Sequence, residues 1–180
     1  MEGKMDTYLE YIIKQKYSLK AVLICLGAYI LAGILSFITF SVMFLHPLIL
    51  RFSLPLAIAY FIGAWWITQR FNIEYEYIVT NDELDVDKIM SKKTRKRMLT
   101  ISVKNFDMFG KAEGEEFEKV LNDNEIAIKF DASAGKNSER RYFAVFNNKQ
   151  EQKMLLIFNP TTKMLEAFRR YNPSKVILDD

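Results

Sequence analysis

The 180-residue sequence contains only one cysteine and only one histidine. The scarcity of these two residue types excludes several classes of function. Cys25 lies in an apolar run without a partner for a disulfide, and no thiol cluster could hold zinc or an iron–sulfur centre. His46 precedes the charged part of the chain, which therefore has no histidine for a metal site or a Ser/His/Asp triad. No glycine-rich loop matches a phosphate cradle. We expect no catalytic residue, no metal and no cofactor.

Acidic and basic side chains are absent from residues 21–50 and again from 52–69. A bilayer core about 30 Å thick is crossed by about 20 helical residues. Residues 21–45 therefore predict one membrane-spanning helix and residues 48–68 a second, with the proline of His46-Pro47 interrupting the run. The first run is too long for a cleaved signal peptide, so we predict a retained hairpin over residues 21–70.

The flanks of the hairpin predict its orientation. Trp65 and Trp66 fall in the last turn of the second helix, where indole rings act as anchors at the headgroup level. The connection between the helices holds only Arg51, whereas more basic residues flank the hairpin on its other side. Those residues are Lys14, Lys16, Lys20 and Arg70. Because basic residues favour the cytoplasmic side, we predict a multi-pass cell-membrane protein with both termini in the cytoplasm.

Small residues recur at four-residue spacing in both apolar runs, as Ala28, Ala32 and Ser36 in the first and Ala59 and Gly63 in the second. Such stripes let two helix backbones approach closely. We predict packing within the hairpin, with homodimerisation through the same stripe as the alternative.

Apolar residues before the first run have the spacing of an amphipathic helix, which we predict within residues 1–20. They are Met5, Tyr8, Leu9, Ile12 and Ile13. Thr7 and Glu10 have the spacing of a capping box. This helix would lie on anionic lipid or dock onto the domain that follows the hairpin.

Residues 71–172 predict a separate domain that is rich in strands. Short runs of β-branched and aromatic residues alternate with polar residues there, as in Leu99, Ile101 and Val103. Asn159 and Pro160 predict the start of a final helix, which leaves residues 173–180 as a tail. The fold class is thus a transmembrane helical hairpin plus an α+β domain, an antiparallel sheet or partial barrel of about six or seven strands closed by a C-terminal helix.

The segment Tyr-Glu-Tyr-Ile-Val-Thr-Asn-Asp-Glu-Leu-Asp-Val at residues 75–86 is followed by the basic stretch Ser-Lys-Lys-Thr-Arg-Lys-Arg at residues 91–97. This pattern resembles the start of the pleckstrin-homology-like (PH-like) domains of small bacterial two-helix membrane proteins of uncharacterised function. The resemblance implies a PH-like cytoplasmic interaction domain and no catalytic residue.

Residues 88–97, the basic segment, hold six of the seven basic residues between Lys88 and Lys104, a stretch without an acidic one. The six are Lys88, Lys92, Lys93, Arg95, Lys96 and Arg97. Near an anionic leaflet each contributes about 1 kcal/mol of attraction. We predict that they contact lipid or a protein partner, with a solvated β-turn as the alternative. Nucleic acid is a less favoured partner because no stacking aromatic residues are interleaved among them.

Three functional hypotheses follow. The leading one is a non-enzymatic, membrane-anchored PH-like module that recruits a cytoplasmic protein or contacts anionic inner-leaflet lipid. The alternative is a structural or accessory subunit that assembles into a membrane complex through its hairpin. The remote alternative is an enzyme whose site the sequence does not reveal.

Overall fold

The computed structural model describes residues 7–42, 44, 47–148 and 150–177. The chain forms two compact units, which are described separately. Residues 17–72 form a helical unit. The chain up to Lys16 and from Ile73 onwards forms the second unit, the sheet domain. The helical unit is therefore an insertion within the sequence of the sheet domain.

Two long apolar helices make up the helical unit, α1 at Leu19–Val42 and α2 at Pro47–Gln69. The spans Leu19–Val42 and Leu50–Gln69 have mean hydropathies of 2.5 and 1.4 and are long and apolar enough to cross a membrane. Only 17% of the most apolar stretch of each span is buried, whereas a core helix of a soluble protein is mostly buried. The predicted end of the first helix at Leu45 lies outside the described residues, as does His46.

The face of α1 that packs on α2 carries small residues. Ala32, Ser36 and Thr39 are buried there, and Ala28 is half-buried. The Ser36 hydroxyl donates a 2.8 Å hydrogen bond to the Ala32 carbonyl, which satisfies it within its own helix. Thr39 Oγ1 lies 3.5 Å from the Tyr60 hydroxyl of α2, so one polar contact accompanies the apolar packing. This face includes all three small residues that the sequence singles out in the first helix.

The corresponding face of α2 differs from the predicted one. Its buried residues are Ser53, Ala57 and Ala64, whereas Ala59 and Gly63 are exposed. A Cβ added at Gly63 would meet no atom within 4 Å. Two residues along a helix correspond to a rotation of about 200°, so Ala57 and Ala59 face nearly opposite directions. The sequence prediction for Ala59 and Gly63 is therefore corrected, since α2 has small residues on two faces and the other one packs on α1.

The first sheet of the sheet domain, sheet A, has four antiparallel strands in sequence order. They are β1 at Tyr8–Lys14, β2 at Ile73–Thr80, β3 at Glu83–Met90 and β4 at Thr94–Ser102. β1 and β2 pair along their whole length, from Tyr8 opposite Thr80 to Lys14 opposite Glu74.

The predicted N-terminal amphipathic helix is wrong, because its central residues form β1. Leu9, Tyr11 and Ile13 alternate with Glu10 and Ile12, so the segment also fits the period of two that a strand requires. Leu9 and Ile13 pack against the apolar core, a contact that local spacing does not reveal. Met5, which the helix prediction included, lies outside the described residues.

The second sheet, sheet B, also has four strands, in the order β5-β7-β8-β6. They are β5 at Phe106–Lys111, β6 at Ile128–Asp131, β7 at Tyr142–Asn147 and β8 at Lys153–Phe158. The pairing of β6 with β8 is parallel, so sheet B is mixed rather than wholly antiparallel. A short helix, α3 at Gly114–Leu121, lies between β5 and β6 and buries Phe117 and Val120.

The last helix, α4, is Thr162–Tyr171 and packs Met164, Leu165 and Phe168 into an apolar core that both sheets share. It begins later than predicted. Thr161, rather than Asn159, is its N-cap residue, and the Thr161 hydroxyl accepts a hydrogen bond from the Met164 amide. Asn159 is buried and binds other backbone groups, so its side chain is not available to cap the helix.

Candidate functional site

The basic segment forms a β-hairpin. Lys88 lies in β3, and Arg95, Lys96 and Arg97 lie in β4, so only Lys92 and Lys93 belong to the turn. The Lys93 amide donates a 3.0 Å hydrogen bond to the Met90 carbonyl. Ser91 and Lys92 both have positive φ, at 53° and 57°, as the central residues of a type I′ turn require.

Two of the predicted contact residues bind carboxylates of sheet A. Arg95 Nη2 lies 2.9 Å from Glu76 Oε1. Arg97 contacts two neighbouring carboxylates, Asp87 through Nε and Asp85 through Nη1, each at 2.8 Å. Half of each arginine side chain remains exposed, so both guanidinium groups still face solvent while their charges are partly neutralised.

Glu76 is fully buried although it lies on a sheet face that is rich in charge. Its Oε1 binds Arg95, whereas its Oε2 has no hydrogen-bond partner among the described residues. Burial raises the pKa of Glu76 above its ordinary value, against the lowering effect of Arg95. The neighbouring Glu10 carboxyl raises the pKa of Glu76 further.

The strand register brings distant basic residues to one end of sheet A. Lys14 lies opposite Glu74, Ile73 lies opposite Met90, and Met90 lies opposite Thr94. The turn of the basic segment is therefore at the end where β1 finishes and β2 begins. We call this end, which includes Lys14, Lys92, Lys93 and Arg95, the basic end of sheet A.

A shallow pocket of about 540 Å³ opens at the basic end. Four basic residues and Glu74 line it around two isoleucine side chains, and we call it the basic pocket. Its lining residues are Ile12, Lys14, Glu74, Ile89, Lys92, Lys93 and Arg95. A pocket with four cations and one accessible carboxylate suits an anionic group such as phosphate or carboxylate. Apolar atoms between the cations would contact the less polar part of such a ligand.

A family model described as Bacterial PH-like domain (DUF6106) matches residues 5–178 of the chain. The chain belongs to this bacterial PH-like family. The prediction of a bacterial PH-like domain is thereby confirmed. The matched range includes the helical unit. No curated protein and no solved structure matches the chain.

In this PH-like domain, three of the six residues predicted from the basic segment line the basic pocket, namely Lys92, Lys93 and Arg95. Lys88 and Lys96 are opposite each other in the register and do not line it. Arg97 binds its two aspartates farther along β4.

Sequence reasoning missed Lys14 as a member of the pocket because it placed this residue at the end of a helix. The alternation of Leu9, Tyr11 and Ile13 is the signal that could have placed Lys14 on a strand of the PH-like domain instead. Lys14 lies near Lys92 only because β1 pairs with β2, and no local sequence pattern encodes this pairing.

The two tryptophans predicted as interface anchors lie near the end of α2. Both are exposed, and the Arg70 guanidinium lies over the Trp66 ring, 4.7 Å from its centroid. A cation stacked on an indole is a common arrangement for residues that share a polar environment. Within the described residues, no group of three or more His, Cys, Asp and Glu side chains is placed to hold a metal ion.

Proposed function

We propose that this protein is a membrane-anchored, non-enzymatic binding module whose basic end lies against the anionic headgroups of the inner leaflet. One observation carries the proposal. The basic pocket is at the end of sheet A where the chain leaves β1 for α1 and returns from α2 to β2. The cations are therefore close along the chain to the only helices that are apolar enough to cross a membrane among the described residues.

The pairing of β1 with β2 also supports the topology of the anchor. The Gln15 amide donates a 3.0 Å hydrogen bond to the Ile73 carbonyl, so the two connections to the helical unit start side by side. A chain that starts and finishes at one place must cross a membrane an even number of times. Two spanning helices meet this condition. Basic residues on this side favour its being cytoplasmic.

The basic residues of the pocket do not contribute equally to lipid attraction. Each exposed lysine near an anionic leaflet contributes about 1 kcal/mol. The charge of Arg95 is offset by Glu76, whereas Lys92 and Lys93 are exposed in the turn. Lys92 and Lys93 should therefore provide most of the attraction, and salt should weaken it because exposed charges are screened.

The test uses the full-length protein in nanodiscs, once with phosphatidylcholine alone and once with phosphatidylglycerol added. We expect the anionic lipid to slow hydrogen exchange in residues 91–94, and Lys92→Gln with Lys93→Gln to abolish the slowing. The matched control, Lys88→Gln with Lys96→Gln, removes two charges from the same hairpin outside the pocket and should leave the slowing in place. An equal effect of both pairs would show that the segment acts only through its total charge, against the proposal.

A second candidate function is assembly through α2. Ala59 and Gly63 are exposed on the face that does not pack on α1, so a second transmembrane helix could approach the α2 backbone there. Under this alternative, Ala59→Ile with Gly63→Ile would convert an oligomer in mild detergent into a monomer, as measured by light scattering. If the wild-type protein were a monomer in mild detergent, self-assembly through α2 would be ruled out.

A further inference from the structure

The first strand of the PH-like domain is an edge strand with an open side. Among the described strands, sheet A has the order β1-β2-β3-β4, so within this part of the chain β1 pairs with β2 on one side only. β1 is seven residues long and contains no proline, glycine or bulge. Tyr8, Tyr11 and Ile12 are exposed on it. Natural proteins usually protect such an edge, because an extended segment of another chain can pair with it.

The register shows which backbone groups of β1 are available. The Thr7 carbonyl accepts a hydrogen bond from the Asn81 amide, and the Gln15 amide donates one to the Ile73 carbonyl. In an antiparallel pair, every second residue turns its backbone groups towards the same neighbour. Odd-numbered residues therefore face β2, and the amides and carbonyls of Tyr8, Glu10 and Ile12 point to the open side.

Lys16 shows independently that the even-numbered residues face away from β2. Its amide donates a 2.7 Å hydrogen bond to the Ala134 carbonyl, which belongs to the segment after β6. This contact covers the open side at the end of β1 that leads to the helical unit. The remaining length of the edge, from Tyr8 to Ile12, is where an added strand would pair.

A groove of about 340 Å³ runs between β1 and α4 beside this edge. Tyr8 and Leu9 line it from the strand, and Lys163, Ala167 and Arg170 line it from the helix. These three helix positions fall on one face of α4, where the small side chain of Ala167 leaves room between two cations.

The charges of the groove identify the chemistry of its occupant. Neither Lys163 nor Arg170 forms an ion pair within the part of the chain that the structure describes. Among the residues that the structure describes, Glu166 is the one carboxylate that lines the groove. An added strand turns alternate side chains to the same face, so acidic residues at alternate positions would meet the two cations.

We infer that β1 and α4 form a docking site for an extended acidic segment of a partner protein, which adds to sheet A as a fifth strand. Main-chain hydrogen bonds to Tyr8, Glu10 and Ile12 supply affinity, and Lys163 and Arg170 select for acidic side chains. This site is separate from the basic pocket, and its occupant is a peptide rather than lipid.

The probe is a nine-residue peptide that alternates threonine with glutamate and has blocked ends, added to the full-length protein in nanodiscs. We expect it to slow amide hydrogen exchange at Glu10 and Ile12 by about fivefold or more, because one added hydrogen bond is worth about 1 kcal/mol and this energy corresponds to a factor of about five. Amides of Leu9, Tyr11 and Ile13 already face β2 and serve as internal controls. The same peptide with lysine for glutamate should bind at least about tenfold more weakly.

Two pairs of variants separate pairing from side-chain effects. Glu10→Pro removes an amide that faces the open side and should lower affinity about tenfold, whereas Glu10→Ala keeps the amide and should change it less than about threefold. Unchanged slow exchange at Leu9 and Tyr11 shows that Glu10→Pro still folds. Lys163→Glu with Arg170→Glu should abolish binding, whereas Arg169→Glu, on the same helix outside the groove, should not.

Three outcomes would overturn the inference. The first is no change in exchange at Glu10 and Ile12 when the peptide is added. The second is slow exchange at these amides without peptide that is lost on dilution, which would identify a second copy of the chain as the occupant. The third is slow exchange that does not depend on dilution, which would show that the chain covers its own edge.

Discussion

The amide of Gln15 lies 3.0 Å from the carbonyl of Ile73, although both apolar helices separate these residues in sequence. The sheet domain is therefore continuous in space where it is interrupted in sequence. A short glycine–serine linker in place of residues 17–72 should preserve the fold, since it has only a short gap to close.

The matched comparison is a chain that starts at Ile73 and so lacks β1. We expect it to unfold at a lower temperature than the linked chain, because β2 loses its partner and the core loses Leu9 and Ile13. Calorimetry or circular dichroism on the two proteins measures the difference. Equal melting temperatures would mean that β1 contributes no stability to the domain.

Glu76 should make stability depend on pH. Burial raises its folded-state pKa above that of the unfolded chain, so between the two values the folded protein binds more protons. Stability from this group is then fully present below the unfolded pKa, about 4.3, and is lost as the pH rises through the folded pKa. Glu76→Gln should remove this loss, so the variant should gain stability relative to wild type as the pH rises from about 4.3 through the folded pKa. Denaturant unfolding across that range tests this, and parallel profiles would contradict it.

The turn of the basic segment has strain that one substitution can relieve. Lys92 has φ of 57°, a conformation that glycine adopts without steric cost. Lys92→Gly should therefore be more stable than Lys92→Ala by about 1 kcal/mol, although both remove the same charge. Thermal unfolding compares the two. Their effect on contact with anionic lipid should be equal, which separates the turn's conformation from its charge.

Asn159 should stabilise the domain through the segment that follows β6. Its Oδ1 accepts a 2.8 Å hydrogen bond from the Ala134 amide, and its Nδ2 donates one of 2.7 Å to the Glu139 carbonyl. Asn159→Ala leaves both backbone groups without this partner and should cost about 2 to 4 kcal/mol of unfolding free energy. Thr161→Ala, which removes the helix cap, should cost about 1 kcal/mol. A larger effect at Thr161 would show that Asn159 is not the main anchor.

The two faces of α2 should respond differently to an added side chain. Ala57 is buried against α1, so Ala57→Leu should force the helices apart and lower the melting temperature in detergent. Ala59→Leu adds the same atoms on the exposed face and should leave the melting temperature unchanged in a monomer. If Ala59→Leu were the more damaging, the second function proposed above would gain support.

The parts of the fold that local patterns encode were predictable. The two uncharged runs predict the two long helices, because an apolar run of about 20 residues is typical of a helix in apolar surroundings. The alternation around Tyr75 and Val79 indicates β2, and the apolar stripe of Met164, Leu165 and Phe168 indicates α4. Each of these signals lies within one continuous segment of the sequence.

The parts that depend on distant pairing were not predictable. Residues 8–14 satisfy both helical and strand spacing, and only the pairing with β2 decides between them. The same pairing brings Lys14 to the end of the sheet where Lys92 lies. The sequence alone therefore does not reveal that Lys14 lines the basic pocket. Arg95 and Glu76 lie on different strands as well, which is why the arginine looked available as a lipid contact.

The pairing of β1 with β2 limits when sheet A can form during synthesis of the chain. β1 is synthesised first, yet its partner emerges only after both apolar helices have been translated. If the hairpin spans the bilayer as proposed, β1 stays unpaired until both helices have been inserted, and a misplaced second helix would leave β2 on the opposite side of the membrane from β1. Under the proposed topology, closure of sheet A would therefore require both helices to be inserted correctly, since only then could the two strands pair.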